Sequence, residues 1–245
     1  MQDWSRGSSA IFESQAARPL QAHAKPTTMI RMKIDFVSDV SCPWCAIGLA
    51  SLEQAIARLE PSQRPRLHFQ PFELNPQMPA AGQDITEHLT QKYRTTAQQQ
   101  AQAREAIRER GAQLGFEFRK EGRGRVYNTF DAHRLLHWAG IEDPGAQHAL
   151  KKALLKAYFT DGRSPGDHEV LVQAAAAAGL DEGRAREILS GDEFAAEVRE
   201  REAFYTGNGI HAVPAVIIND RHLIQGGQPP EVFEEALRQI AAQEA

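Results

Sequence analysis

The chain has two cysteines, Cys42 and Cys45, three positions apart in the stretch SCPWCAIG that covers residues 41–48. Two thiols at this spacing can close a reversible disulfide, supply half of a metal site, or sit in the core as small apolar residues. A structural zinc site takes about four ligands, and no second cysteine pair exists in the sequence. His133 and His137, four apart on an expected helix, keep a mixed Cys/His site conceivable. Paired histidines on one helix more often serve surface or packing roles, and His133 is read as a packing and hydrogen-bonding residue, so no metal and no cofactor beyond the thiols is expected. The chemistry that suits the pair is thiol–disulfide exchange.

Exchange requires one thiol to attack and the other to resolve, so the flanking elements must hold them differently. Lys33-Ile34-Asp35-Phe36-Val37 is short, β-branched and aromatic, and reads as a strand. Leu49, Leu52, Ile56 and Leu59 then recur every three or four residues, the stripe of a buried helix face. Pro43 suits the first helical position, since it has no N–H to leave unpaired. Residues 66–72, RLHFQPF, alternate apolar and polar and read as a second strand. A C-x-x-C beside such a βαβ unit reads as a thioredoxin-like redox motif. Cys42 falls at the helix N-terminus, where unpaired N–H groups and the macrodipole favour a thiolate. It is expected to be the exposed, attacking thiol. Cys45 continues the apolar stripe and is expected to be the buried, resolving one. Trp44 is read as an exposed aromatic that packs on substrate. Asp35 and Asp39 are possible proton acceptors for Cys45, with helix capping the favoured role for Asp39.

From about Asp84 to Tyr205 the sequence reads as helical throughout, rich in Ala, Gln, Arg, Glu and Leu. Asp167, Asp181 and Asp192 are expected N-caps. After Gly207-Asn208-Gly209 the pattern reverts: VPAVIIN suits a buried strand, RHLIQ pairs with it across a turn at Asn219-Asp220, and a final helix follows Pro229 and Pro230. The order βαβ, helical block, ββα predicts an α/β fold: a thioredoxin-like sheet (residues 31–82 and 207–245) with a large all-helical insertion (83–206).

At 245 residues, 42% hydrophobic and a net charge of −4, the chain can bury a substantial core and carries no basic excess for nucleic acid. No apolar run approaches the roughly 20 residues that cross a bilayer. Residues 1–30 are polar and broken by Pro, Gly and Ser, and read as a disordered extension. Ala22-His23-Ala24 has the form of a cleavage site but lacks a preceding apolar stretch. A cytoplasmic location is expected, a compartment in which structural disulfides are rare.

Several blocks in order (SDVSCPWCAIG, PFELNPQMPAAG, KYRTT, NTFDAHRLLHWA, GIHAVPAVIIN and GGQPPEVF) run nearly the whole length from Lys33 onward. With them the chain resembles the DsbA-like thioredoxin-fold proteins, closest to the FrnE branch, a relative of the 2-hydroxychromene-2-carboxylate isomerases and kappa-class glutathione transferases. Ala46 departs from the tyrosine common after the second cysteine, and Ala212 from a glycine before Val-Pro. The resemblance implies a thiol–disulfide oxidoreductase or isomerase acting on protein thiols, with glutathione or a thioredoxin-type reductant as further partners. It also implies a cis Val213–Pro214 peptide facing the cysteines, so that Val213 and Pro214, with Pro43 and Trp44, contact substrate. A glutathione-dependent isomerase or transferase is the alternative; those relatives usually carry serine at the position of Cys42.

Overall fold

β-branched and aromatic residues at alternate positions give β1 (Lys33–Ser38), whose side chains from Ile34 onward are buried. The chain then turns into α1 (Pro43–Ala57) and returns as β2 (Arg66–Pro71), parallel to β1 with Phe36 opposite Phe69. The computed structural model describes residues 32–243; the expected N-terminal extension lies outside them.

A short β3 (Gln83–Asp84) leads into α2 (Ile85–Tyr93) and α3 (Ala97–Gln113), and β4 (Arg125–Val126) follows. Next come α4 (Phe130–Glu142), α5 (Pro144–Phe159), α6 (His168–Ala177), α7 (Glu182–Ser190) and α8 (Ala195–Gly207). The chain ends with β5 (Ala215–Ile218), β6 (His222–Gln225) and α9 (Pro230–Gln243). The sheet order is β2-β1-β5-β6, with β5 antiparallel to both of its neighbours. Asn219 and Asp220 both have positive φ, as the two-residue turn between β5 and β6 requires. The α/β fold with a thioredoxin-like sheet and inserted helices is therefore present.

Two expectations are corrected. The stretch from Asp84 to Tyr205 is not helical throughout: β3 and β4 pair antiparallel within it, Gln83 opposite Val126. Asp192 caps no helix, because Phe194 adopts a left-handed conformation and α8 begins after it. Asp167 and Asp181 do cap α6 and α7.

Two apolar clusters meet at the turn between β1 and α1. Cys42 and Cys45 pack with Phe36, Phe69, Leu155 and Phe233 of the sheet-centred core. Val40, two residues before Cys42, packs instead among Leu135, Leu150, Leu154 and Leu171 of the helical block. Each fully buried side chain of this size contributes about 1.5–3 kcal/mol, so the turn is anchored from both sides. Among the described residues no helix is long and apolar enough to cross a membrane.

Candidate active site

Asp39 organises the turn. Its buried carboxylate accepts from Ser41 N at 3.0 Å, Ser41 Oγ at 2.8 Å and Leu74 N at 2.7 Å, tying the turn to the segment after β2. Its backbone O accepts from Cys42 N at 3.2 Å. Burial raises its carboxyl pKa, but the His133 ring and these N–H groups outweigh that and hold it at about 2. His133 Nε2 lies 3.6 Å from Asp39 Oδ1, longer than a hydrogen bond. The expected capping role is thus replaced by a different one: Cys42 is the N-cap of α1 and no side chain caps that helix. Asp39 serves the turn before the helix. Asp35 lies elsewhere, paired with Lys33 at 2.8 Å and accepting from Gln70 Nε2 at 2.6 Å.

Cys42 occupies the N-cap with Pro43 as the first helical residue. Its side chain is almost covered, at 4% exposure, which corrects the expected exposed thiol. The cover comes from the loop before β5: Cys42 Sγ donates to Val213 O at 3.6 Å, and Val213–Pro214 is cis. Close approach of that loop depends on Gly48, where a Cβ would lie 2.9 Å from Pro214 Cγ; Gly227, after β6, lets a second segment approach α1, since a Cβ there would lie 3.1 Å from Trp44 O. Cys45, one turn into the helix, is fully buried. Both cysteines are free thiols in this structure.

The two thiols are driven apart electrostatically. The Cys45 thiol donates to Cys42 and lowers the Cys42 pKa; burial opposes this, and the Cys45 and Trp44 N–H groups add to the lowering. Cys45 moves the other way. Burial pushes its thiol well above the usual range, and the adjacent Cys42 charge pushes it further. Lys151 acts against both effects. One thiol is therefore prepared to ionise and attack while the other is kept protonated, the asymmetry that disulfide exchange uses.

Cys42 opens onto a cavity of about 690 Å³, within the range of small-ligand sites. Trp44, 45% exposed, stands at its edge as expected, with Pro43 half-buried beside it. The walls are mainly apolar, from Phe72, Leu89, Ile107, Phe118 and Val213, with Lys92, Arg104, Arg123, His88 and His211 among the polar groups. Arg123 donates to Ser41 O at 3.0 Å and Lys92 to Leu74 O at 2.8 Å. Glu73 is the carboxylate on the wall, ion-paired with Arg199.

Cys42, Cys45, Pro43, Trp44 and Val213 are thus brought together, with Pro214 packed beneath them against Gly48. The possible Cys/His metal set is not assembled: His133 turns to Asp39, and the His137 ring packs on Phe194 at 5.4 Å. Sequence reasoning assigned His133 to packing and hydrogen bonding without its acidic partner, and missed Lys151 altogether. Lys151 is fully buried in α5; burial lowers its pKa, and the charges of Cys45, Asp39 and Cys42 oppose that. The available signal was its place on the apolar stripe formed by Leu150, Leu154, Leu155 and Tyr158.

The DSBA-like thioredoxin domain model matches residues 33–238. A probable DsbA oxidoreductase from Streptomyces coelicolor is 34% identical, superposes with a TM-score of 0.80, and aligns over 88% of this chain and 92% of its own. The uncharacterized protein YwbO of Bacillus subtilis is 27% identical over 209 residues, 83% of this chain and 94% of YwbO. The cytosolic disulfide reductase DsbM from Pseudomonas aeruginosa, solved with GSH, shares the fold at 16% identity and a TM-score of 0.59, covering 84% of this chain and 98% of DsbM.

Proposed function

The chain belongs to the family of DSBA-like thioredoxin domains, and from that premise we propose that it exchanges disulfides with protein thiols through Cys42 and Cys45. The observation that carries this reading is the pair's opposed environments at one helix end: a Cys42 thiol biased to ionise and a sheltered Cys45 biased to stay protonated. In the reducing or isomerising direction, the Cys42 thiolate attacks a substrate disulfide and Cys45 then displaces the product. In the oxidising direction, a substrate thiolate attacks the Cys42–Cys45 disulfide at Cys42. The direction follows the couple's reduction potential, which spans about −270 to −120 mV across related motifs. Val213 O, 3.6 Å from Cys42 Sγ, is suited to pair with an extended substrate backbone as an added strand. Pro43 and Trp44 supply the facing contact. The reading needs no metal or bound cofactor, and its setting is the reducing cytoplasm.

One observation favours small anionic thiols such as glutathione as an additional partner. Lys92, Arg104 and Arg123 line the cavity with no carboxylate partner among the described residues. Such groups suit the carboxylates of a peptide thiol. This observation also keeps the glutathione-dependent isomerase or transferase reading in play. Reduction of insulin by dithiothreitol tests the main proposal. The wild-type chain should accelerate precipitation of the released insulin B chain, and Cys42→Ser should abolish the acceleration. No acceleration by the wild-type chain would count against a protein-disulfide activity.

A further inference from the structure

The cavity beside Cys42 carries its cations in fixed places. Asp39 joins two segments by accepting from Ser41 N and from Leu74 N, and each segment holds one cation by its carbonyl. Arg123 Nη1 donates to Ser41 O at 3.0 Å. Lys92 Nζ donates to Leu74 O and to Asn75 Oδ1, both at 2.8 Å. Arg104 reaches the same wall from α3, lying across Gly122, where a Cβ would meet Arg104 Cδ at 2.6 Å. Gly122 directly precedes Arg123, whose guanidinium sits over the Phe159 ring, 5.7 Å from its centroid. Cations from α2, α3 and the loop before β4 thus line one cavity with Cys42. One of them is bonded to the residue before that thiol.

No acidic group in the cavity balances them. Glu73, the carboxylate on the wall, has a buried side chain ion-paired with Arg199. Asp39 is buried behind the wall with its carboxylate taken by three hydrogen bonds. Arg108 and Arg119 also line the cavity, but they are paired with Glu105 and Glu121. Burial lowers the pKa of His88 on the same wall, and the charges of Lys92 and Arg123 lower it further. An ammonium on a bound molecule would find no carboxylate here, whereas an anion finds several donors.

We propose that the site selects disulfides whose small half carries an anion a few bonds from sulfur and no ammonium, a mercapto-carboxylate or mercapto-sulfonate. Arg123, Lys92 and Arg104 are its specificity-determining residues. The inference rests on the disulfide-exchange reading above and sets the class of small thiol apart from glutathione, whose α-ammonium has no carboxylate to meet. Because Arg123 holds the backbone one residue before Cys42, the anion it binds lies near the reacting sulfur. The Cys42 thiolate forms a bond to one sulfur of the substrate, and the substrate S–S bond breaks. Cys42 sulfur is oxidised, and the departing sulfur is reduced, leaving as a thiolate that takes a proton from water. The three cations offset the repulsion between the attacking thiolate and an anionic substrate.

In the Cys45→Ser chain the mixed disulfide persists, so acid quenching and intact-mass spectrometry give the rate of Cys42 attack alone. Four probes share one skeleton, two ethyl arms joined by a disulfide, and end in ammonium (cystamine), hydroxyl, carboxylate or sulfonate. Oxidised glutathione is the fifth. Relative to the hydroxyl probe, the anionic probes should react faster than cystamine on the order of tenfold, the worth of one charge-assisted hydrogen bond. They should also outpace oxidised glutathione, and the carboxylate and sulfonate arms show which anion is preferred. Arg123→Gln with Lys92→Gln should bring the anion-to-cystamine ratio to one or below. A second readout needs no substitution at the wall: the ratio should fall toward one as salt rises from about 0.01 to 1 M, where exposed charges are screened. Cystamine attacked as fast as the anionic probes, a ratio insensitive to salt, or a ratio that survives both substitutions overturns the proposal. Oxidised glutathione as the fastest probe overturns it as well. A chain that attacks none of the five contradicts the exchange reading itself.

Discussion

Cys42 and Cys45 are one residue type in two environments, and the difference comes from single groups at ångström range. Three donors favour the Cys42 thiolate: the Cys45 thiol and the N–H groups of Cys45 and Trp44. Cys45 is fully buried and faces the charge that Cys42 acquires. Brief iodoacetamide treatment of the reduced chain should therefore modify Cys42 first at pH 7. Its rate should rise with pH through a midpoint below the ordinary thiol value of about 8.5, because the thiolate is the reactive form. Cys45 should become reactive only above that value. Peptide mapping that finds equal or inverted labelling would contradict the assignment of attacking and resolving roles. This asymmetry was legible in the sequence, since Pro43 marks the helix start and the apolar stripe includes position 45. The burial of Cys42 was not, because its cover is Val213, 171 residues away in sequence. Nor was the true role of Asp39, whose partner Leu74 follows a different strand.

At the scale of elements, the site depends on how closely α1 meets the loop before β5. Gly48 faces Pro214, whose ring cannot swing aside. Gly48→Ala would gain about 1 kcal/mol in helix propensity. It would also place a methyl 2.9 Å from Pro214 Cγ, and overpacking of this kind costs about 1–3 kcal/mol. The variant should show a lower thermal midpoint and slower insulin reduction; a raised midpoint with full activity would show that the contact yields freely. The long elements were readable because periodicity accumulates with length. The alternation of β1 and β2 and the helical stretch that became α5 emerge from pattern alone. The two-residue β3 and β4 have no room for a period, and the left-handed Phe194 that delays α8 has no glycine to signal it. Lys151 escaped notice for a related reason. A lysine on an apolar stripe ordinarily extends its stem to bring the charge into water, whereas Lys151 is fully buried on a helix that Gln147 bonds to β2.

Across the whole molecule, a chain with a net charge of −4 gathers Lys92, Arg104 and Arg123 in the cavity that Cys42 lines. The same face carries exposed Trp44 and Tyr93. An apolar rim suits a protein segment, while cations in a cavity of about 690 Å³ suit a small anionic thiol. The substitution Cys45→Ser decides between them, because Cys42 can still attack but nothing within the chain can resolve the intermediate. Purified from cells and run on nonreducing gels, this variant should carry covalent, dithiothreitol-sensitive adducts with many proteins, identifiable by mass spectrometry as joined at Cys42. Recovery of only free chain or a glutathione adduct, with isomerase activity on an aromatic substrate retained, would contradict protein-thiol exchange as the activity of this site.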